Sequence, residues 1–317
     1  SPPVHRYEFP MRFRSEQAMH RHTLQHLSAT IAAACIAFPG TGIAAPTVET
    51  MGTIAYSGIY DVPAQLVDGL YEGEPFVPEG AARPRVELLR DLHATGDIDG
   101  DGVTDAWVLL NESSGGTGQF LYLAAVSEAR GSPRNIGTIA IGDRVKVMSL
   151  EAEGGTATLT YVAPGPQEPA CCPTQMISGV YGLEDGTLTE LSREELGTLS
   201  LERLEGTTWR LQRHAWNEPV ADGISITAVF DGDRVSGSAG CNRYFATVLA
   251  PTPYDLAIGP AGTTRMACPP PQETTESRYL LALTNAVQYS FILGKLAISY
   301  RVEEEHGTLI FERAETE

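Results

Sequence analysis

An aspartate-rich loop between residues 96 and 105 carries the most distinctive chemistry in the sequence. Its carboxylates alternate with glycines, which let the chain curl so that several oxygens point toward one centre. Hard oxygen donors around a turn, with a backbone carbonyl at the seventh position, are typical of a calcium loop. The expected ligands are Asp97, Asp99, Asp101, Val103 and Asp105.

The loop departs from an EF-hand in two respects. Its twelfth position is Val108 instead of glutamate, and a strand-like apolar run follows instead of a helix. The string is similar to the Asp-rich loops of exported β-repeat proteins, in which calcium is often structural. Because calcium is abundant outside cells, even a weak site would fill there. The sequence therefore predicts a structural Ca²⁺, with an acidic solvated turn as the alternative.

A second stretch of chemical interest spans residues 224–245. Its first seven residues alternate and are rich in β-branched side chains, which predicts a strand, and Asp231-Gly232 predicts a tight hairpin. Small residues in the returning strand let another backbone or a bulky ring approach closely. Two interpretations of the following residues stay open, a sheet corner locked by sulfur and a binding edge made of Asn242, Arg243 and Tyr244.

This region resembles the META domain, the module of HslJ-like heat-shock proteins. The resemblance rests on Ser236-Gly-Ser-Ala-Gly-Cys-Asn-Arg-Tyr-Phe245 and Thr264-Arg-Met-Ala-Cys-Pro269, in that order, with Trp209-Arg-Leu near the domain start. It covers about residues 203–313. It implies a small β-rich domain with one helix, found in bacterial envelope proteins and linked to stress tolerance. It implies no catalytic mechanism.

The cysteines are interpreted in the light of that resemblance. Removal of a leader would leave four, which allow three pairings. We expect Cys241 to pair with Cys268, because both lie in one domain and within its two signature strings. Closing that loop should stabilise the fold by roughly 3–4 kcal/mol. Adjacent Cys171 and Cys172, between prolines, form either a rigid structural corner or a strained, redox-active vicinal disulfide.

The N-terminus has the features of an export signal. Several Arg and His residues precede a short apolar core, Leu27–Phe38, and small residues stand before Pro46. The apolar run is too short to span a bilayer. The sequence thus predicts a leader at residues 1–45 and a periplasmic or secreted protein, with a buried helix as the alternative. Lipid attachment at Cys35 is disfavoured because Ala32 occupies the position that requires a large aliphatic residue.

Charge narrows the range of partners. The chain of 317 residues has a formal net charge of −18, which argues against a nucleic-acid backbone and disfavours anionic membrane surfaces. The scattered histidines and the absence of a Cys-x-x-Cys motif argue against zinc. The partner is expected to be an envelope protein or a small molecule, recognised by Asn242, Arg243 and Arg265.

Short alternating segments separated by glycine-containing turns predict a mainly β, β-rich α+β chain with two antiparallel domains. The expected C-terminal helix is capped by Thr274 or Thr275 and runs to about Val287 on one sheet. The predicted organisation is a leader at 1–45, a β-rich domain at 46–192, a linker at 193–202, the META-type domain at 203–313 and a tail at 314–317.

The chain contains no nucleophile elbow, metalloprotease helix or phosphate loop. An acid/base pair such as Asp97 or Asp105 with Glu112 stays open from the sequence alone. The function predicted first is that of an exported, non-enzymatic envelope protein, which contributes to stress tolerance or envelope integrity by binding another envelope component. The alternative is a calcium-stabilised carbohydrate-binding or carbohydrate-active module.

Overall fold

A computed structural model of the protein describes residues 44–129 and 131–314. Nearly all of the predicted leader, with Cys35, and residues 315–317 of the tail lie outside the described residues. The described chain is mainly β, as the alternating patterns predict. Neither of its α-helices has the length and apolarity that a bilayer crossing requires.

The first sheet has five antiparallel strands, and short N-terminal elements cover one of its faces. In chain order these elements are α1 (Val48–Met51), β1 (Ala55–Tyr56), β2 (Ala64–Gln65), β3 (Leu70–Glu72), β4 (Arg85–Gly96), β5 (Asp105–Ser113), β6 (Phe120–Ala129) and β7 (Ser132–Asp143). The strand order is β3-β4-β5-β6-β7, and β1 pairs with β2. Alternation along β5 sends Val108 to the covered face and Trp107 to the opposite face.

A second antiparallel sheet packs on that opposite face. It consists of β8 (Lys146–Glu153), β9 (Thr156–Ala163), β10 (Gln175–Glu184) and β11 (Thr187–Thr198), in the order β11-β10-β9-β8. Trp107 and Leu109 from the first sheet meet Leu159 and Tyr161 from the second in a buried core. The N-terminal half of the described chain is therefore a β-sandwich, one of the architectures that the spacing of short strands predicts.

The C-terminal half forms a strongly curved antiparallel sheet with one helix. Its elements are a 3₁₀ helix (Leu201–Leu204), β12 (Thr208–Ala215), β13 (Glu218–Pro219), β14 (Thr227–Asp231), β15 (Arg234–Ser238), β16 (Arg243–Leu249), β17 (Ala257–Ile258), β18 (Gly262–Thr263), α2 (Gln272–Thr284), β19 (Ala286–Ile292), β20 (Lys295–Val302) and β21 (Glu305–Arg313). The main strand order is β17-β16-β15-β14-β12-β21-β20-β19, and β13 and β18 pair with β12 and β16.

Helix α2 begins earlier and ends earlier than the sequence predicts. It starts after Pro271, because a proline at a helix start sacrifices no intrahelical hydrogen bond and fixes φ near the helical value. It ends at Thr284, where the side chain of Asn285 donates to the carbonyl of Leu281 at 2.8 Å. Val287, predicted on the buried helix face, instead lies in β19 with its side chain exposed.

The residues predicted as a linker, 193–202, are largely ordered secondary structure. Residues up to Thr198 continue β11 and pair with β10, and the 3₁₀ helix begins at Leu201. The Glu-rich sequence lacks the alternation that would predict this strand. β11 is the edge strand of its sheet, and most of its side chains from Ser192 onward face solvent.

The second sheet buries both of its faces, and this joins the two halves. Side chains of β8–β10 alternate between the sandwich core and a second core that belongs to the C-terminal half. Met148, Val162 and Met176 lie in that second core together with Trp209 and Phe291. The two halves therefore share this second core.

Polar contacts strengthen the same junction. The turn between β19 and β20 rests on β8, where the Gly294 amide donates to the Val147 carbonyl at 3.1 Å. Lys295 forms an ion pair with Asp91 at 2.7 Å, and the Tyr254 hydroxyl donates to the Pro173 carbonyl. These contacts cross from one half to the other, so we expect the halves to unfold together.

We predict that Met176→Ala lowers the free energy of unfolding by about 2–5 kcal/mol, because it leaves a cavity in the shared core. Met176 is 1% exposed, whereas Met266 is 58% exposed, so Met266→Ala is the matched control and should change stability by less than about 0.5 kcal/mol. Urea denaturation followed by tryptophan fluorescence measures both. Two separate transitions, with only the first displaced by Met176→Ala, would contradict a shared core.

Candidate functional site

A disulfide closes the corner at which the chain leaves β15 and enters β16. Cys241 and Cys268 are 27 residues apart in sequence, and their Cα atoms lie 6.1 Å from each other. This is the pairing that the two signature strings predict. The bond ties the corner to the segment that leads into α2, so both parts of the signature meet at one place.

The side chain of Asn242 lies beneath this corner and uses its polar atoms internally. Its Oδ1 accepts hydrogen bonds from the Met266 amide and the Thr264 hydroxyl, each at 2.8 Å. Its Nδ2 donates to Glu276 Oε1 at 3.1 Å, and its backbone amide donates to Oε2 of the same carboxylate at 2.7 Å. The sequence predicts Asn242 as a partner-binding residue, but a side chain that is 5% exposed and fully bonded holds the corner instead.

Tyr244, also predicted at the binding edge, is buried and connects the sheet to α2. Its hydroxyl donates to the Thr227 carbonyl at 3.0 Å. The Tyr279 hydroxyl lies 2.7 Å away and, because Tyr244 has only one proton to give, acts as donor in that second bond. Burial raises the pKa of both hydroxyls well above the usual range, so both stay protonated. Tyr244 is therefore a structural residue.

Arg243 points the other way, into a groove on the outer face of the sheet. The exposed faces of β14, β15 and β16 form its floor, and β18 forms one side. The groove has a volume of about 740 Å³, within the range of small-molecule sites. We call it the outer groove; its lining residues are Thr227, Val229, Arg234, Ser236, Gly237, Ser238, Arg243, Tyr244, Phe245, Thr263 and Thr264.

Two lining residues that sequence reasoning missed as functional are Arg234 and Phe245. The Arg234 guanidinium lies 4.7 Å from the centroid of the Phe245 ring, and that ring is 52% exposed. Alternation along β15 and β16 was a usable signal, because it sends Val235 and Ala246 inward and these two residues outward. Their proximity across the strands depends on register, which the sequence leaves open.

Arg265 is exposed and immediately follows Thr264 of the outer groove. Its side chain is not among those that line the groove. Of the three residues predicted for recognition, the structure therefore places Arg243 in the groove, Arg265 beside it and Asn242 inside the corner.

Comparison with known proteins identifies this part of the chain. Residues 202–316 match the family model of the META domain. This match confirms the resemblance of the C-terminal part of the chain to the META domain. A protein from Burkholderia xenovorans, whose structure was determined by NMR, is 27% identical over 36% of this chain and 86% of its own length, with a TM-score of 0.29. No curated protein matches the chain.

The aspartate-rich loop lies outside the META domain, between β4 and β5. Carboxylate oxygens of Asp97, Asp99 and Asp105 lie within 4.8 Å of one another. Asp105 is buried and accepts the Ile98 amide at 2.9 Å, while Ser127 donates its hydroxyl to Asp99 at 2.9 Å. The loop is thus curled around three of its carboxylates.

One of the predicted carboxylate ligands differs from these three. Asp101 is exposed and not part of the group of converging carboxylates. Its Oδ1 instead accepts the amide of Val103 at 2.8 Å, which closes a local turn. The regular spacing of the aspartates suggested equal roles, but the path of the backbone turns Asp101 away from the other carboxylates.

Cys171 and Cys172 are exposed free thiols, also outside the META domain. A hydrogen bond with Cys171 raises the pKa of the Cys172 thiol above its ordinary value. Because the thiolate is the reactive form, a raised pKa makes Cys172 less nucleophilic.

We predict that Asn242→Ala destabilises the META domain by about 1–3 kcal/mol, because the partly buried Met266 amide and Oε1 of Glu276 lose the hydrogen bonds of the Asn242 side chain. Asn217→Ala, which changes an exposed asparagine in the same domain, is the control. Thermal or urea unfolding of the oxidised full chain measures both. Equal stability of the two variants would show that Asn242 does not hold the corner.

Proposed function

We propose that this protein is an exported, non-enzymatic component of a bacterial envelope that contributes to stress tolerance or envelope integrity. In this proposal the META domain acts by binding another envelope component, and the predicted leader at residues 1–45 directs export. The match of residues 202–316 to the META family supports the domain assignment on which the proposal rests.

The disulfide corner beside the outer groove is the observation that carries the proposal. Disulfides persist in oxidising compartments such as the periplasm and are rare in the cytosol, so Cys241–Cys268 favours a location beyond the cytoplasm. The corner also fixes the backbone of Arg243, whose amide donates to the Thr264 hydroxyl at 3.1 Å. A preorganised backbone lowers the entropic cost of presenting a charged side chain to a partner.

Geometry around β5 favours a non-enzymatic role over the carbohydrate-active alternative. The acid/base pair that the sequence left open combines Asp97 or Asp105 with Glu112. Asp105 and Glu112 lie seven residues apart on one extended strand, which separates them by roughly 23 Å. Paired carboxylates that hydrolyse glycosides lie about 5–9.5 Å apart. Glu112 instead accepts the Tyr60 hydroxyl at 2.9 Å.

Deleting the gene from its host should lower survival under heat or detergent stress, and the wild-type chain should restore survival. A variant without residues 1–45 should fail to do so, because it stays in the cytoplasm.

Alkylation of the periplasmic fraction should label Cys241 and Cys268 only after reduction. The exposed thiols Cys171 and Cys172 should be labelled without reduction and serve as the internal control. Equal rescue by both forms, or free Cys241 and Cys268 in the wild-type chain, would refute the proposal.

We also propose that the aspartate-rich loop binds a structural calcium ion. The observation that supports this is the convergence of Asp97, Asp99 and Asp105, whose oxygens could supply three of the six to eight ligands that calcium takes. The loop connects β4 to β5 of the first sheet, so an ion there would restrain two adjacent strands.

Calcium at ten times its Kd should stabilise the full chain by about 1.4 kcal/mol, and EGTA should reverse the effect. Asp99→Asn should abolish most of this response, since it removes a converging charge. Asp101→Asn is the matched control and should keep the response, because Asp101 lies outside the converging group. Thermal melts measure all three proteins. A wild-type melting temperature that ignores both calcium and EGTA would rule out the site.

A further inference from the structure

The outer groove is lined by two arginines and several hydroxyl groups. We propose that it binds a phosphate-type oxyanion carried by a small molecule, with Arg234 and Arg243 holding the anionic group. This inference rests on the proposed binding function of the META domain and names the chemical class of the ligand.

Charge is the first observation. The chain has 40 acidic and 22 basic residues, so an arginine on its surface has many potential partners, and seven of its arginines outside the groove form ion pairs. Within the described residues, Arg234 and Arg243 form none. No Asp or Glu lines the groove in the described part of the chain. Two guanidiniums without an ion pair therefore line a groove that has no carboxylate among its lining residues, and the nearest acidic residue in the strand register is Asp231, opposite Arg234 at the end of the hairpin.

The hydroxyl groups of the groove add donors. Thr227 Oγ1 accepts the Ser238 amide at 3.0 Å, and Ser238 Oγ accepts the Gly240 amide at 3.2 Å. Each oxygen accepts one backbone N–H, and each hydroxyl proton stays available to donate to a ligand. Ser236 and Thr263 also present hydroxyls at the groove. These donors come from three different strands, which suits the several oxygens of a tetrahedral anion better than the two of a planar carboxylate.

Two glycines set the shape of the groove. A Cβ on Gly237 would lie 2.0 Å from the Thr227 carbonyl oxygen, so only glycine allows β14 and β15 to approach so closely at the groove floor. A Cβ on Gly262 would lie 2.8 Å from the Phe245 ring, which shows that the ring packs over β18. The same ring contacts the Arg234 guanidinium. Phe245 thereby positions one of the two cations before any ligand arrives.

Size and net charge limit the source of the anion. A volume of about 740 Å³ exceeds what a bare phosphate needs, so the groove has room for a larger molecule that carries the anion. A net charge of −18 repels an extended anionic membrane surface, whereas a single phosphate group experiences mainly the nearby arginines. The shared chemistry is thus a phosphate group, either on a soluble molecule or on a lipid headgroup presented singly.

Titration calorimetry of the oxidised full chain tests the proposal with three probes: inorganic phosphate, glycerol 3-phosphate and phosphatidylcholine vesicles that contain phosphatidylglycerol. We expect saturable binding of at least one probe, weakened about tenfold or more by Arg234→Gln and by Arg243→Gln. Arg301→Gln, an exposed arginine outside the groove, is the control and should bind as wild type does. Ser236→Ala should weaken binding without removing a charge, which separates hydroxyl donation from net charge.

Each outcome supports or overturns the proposed anion site. Binding of glycerol 3-phosphate supports a soluble ligand, and binding confined to vesicles supports a lipid headgroup. Failure of all three probes, or equal binding by wild type and the Arg234→Gln/Arg243→Gln double variant, overturns the inference. In that case the proposed function would still stand if the chain is exported and restores survival. Conversely, arginine-dependent binding by a chain that is neither exported nor needed under stress would leave the anion site standing and remove the proposed function.

Discussion

One buried amide organises the C-terminal half of this protein. Asn242 bonds to Thr264, Met266 and Glu276 at once, so it joins the β15–β16 corner, the segment after β18 and the first turns of α2. The Cys241–Cys268 disulfide crosses the same point covalently. A buried amide is stabilising only when its polar atoms are hydrogen-bonded, and this requirement restrains the three segments that supply its partners. The position of Arg243, one residue further, follows from it.

The two faces of the same strands have separate roles. Tyr244 and Ala246 of β16 point into the core shared with α2, whereas Arg243 and Phe245 point outward into the groove. Strand geometry enforces this division, since successive side chains alternate between faces. Alternate residues of one signature string thus pack in the core and line the outer groove. A string that identifies a domain therefore need not be a list of its binding residues.

The shared core explains why the β-sandwich and the META domain belong together in this chain. Met148, Val162 and Met176 leave the sandwich side of their sheet and complete the core of the META domain. A sheet that is apolar on both faces cannot be left exposed on one side without a large hydrophobic cost. The sandwich thereby covers one apolar side of the META domain, while the outer groove lies on a different part of the domain surface.

The sequence by itself determined the mainly β architecture, the META domain and the cysteine pair, because these depend on local alternation, turn residues and a specific string. The curled loop around Asp97, Asp99 and Asp105 could also be predicted from the sequence, since its glycines and carboxylates lie close together in the chain. Only the tertiary structure decided that Asn242 faces inward, that Asp101 turns away and that Arg234 meets Phe245. Those facts depend on strand register and on contacts between residues distant in sequence, such as Asn242 with Glu276, and local patterns carry no information about either.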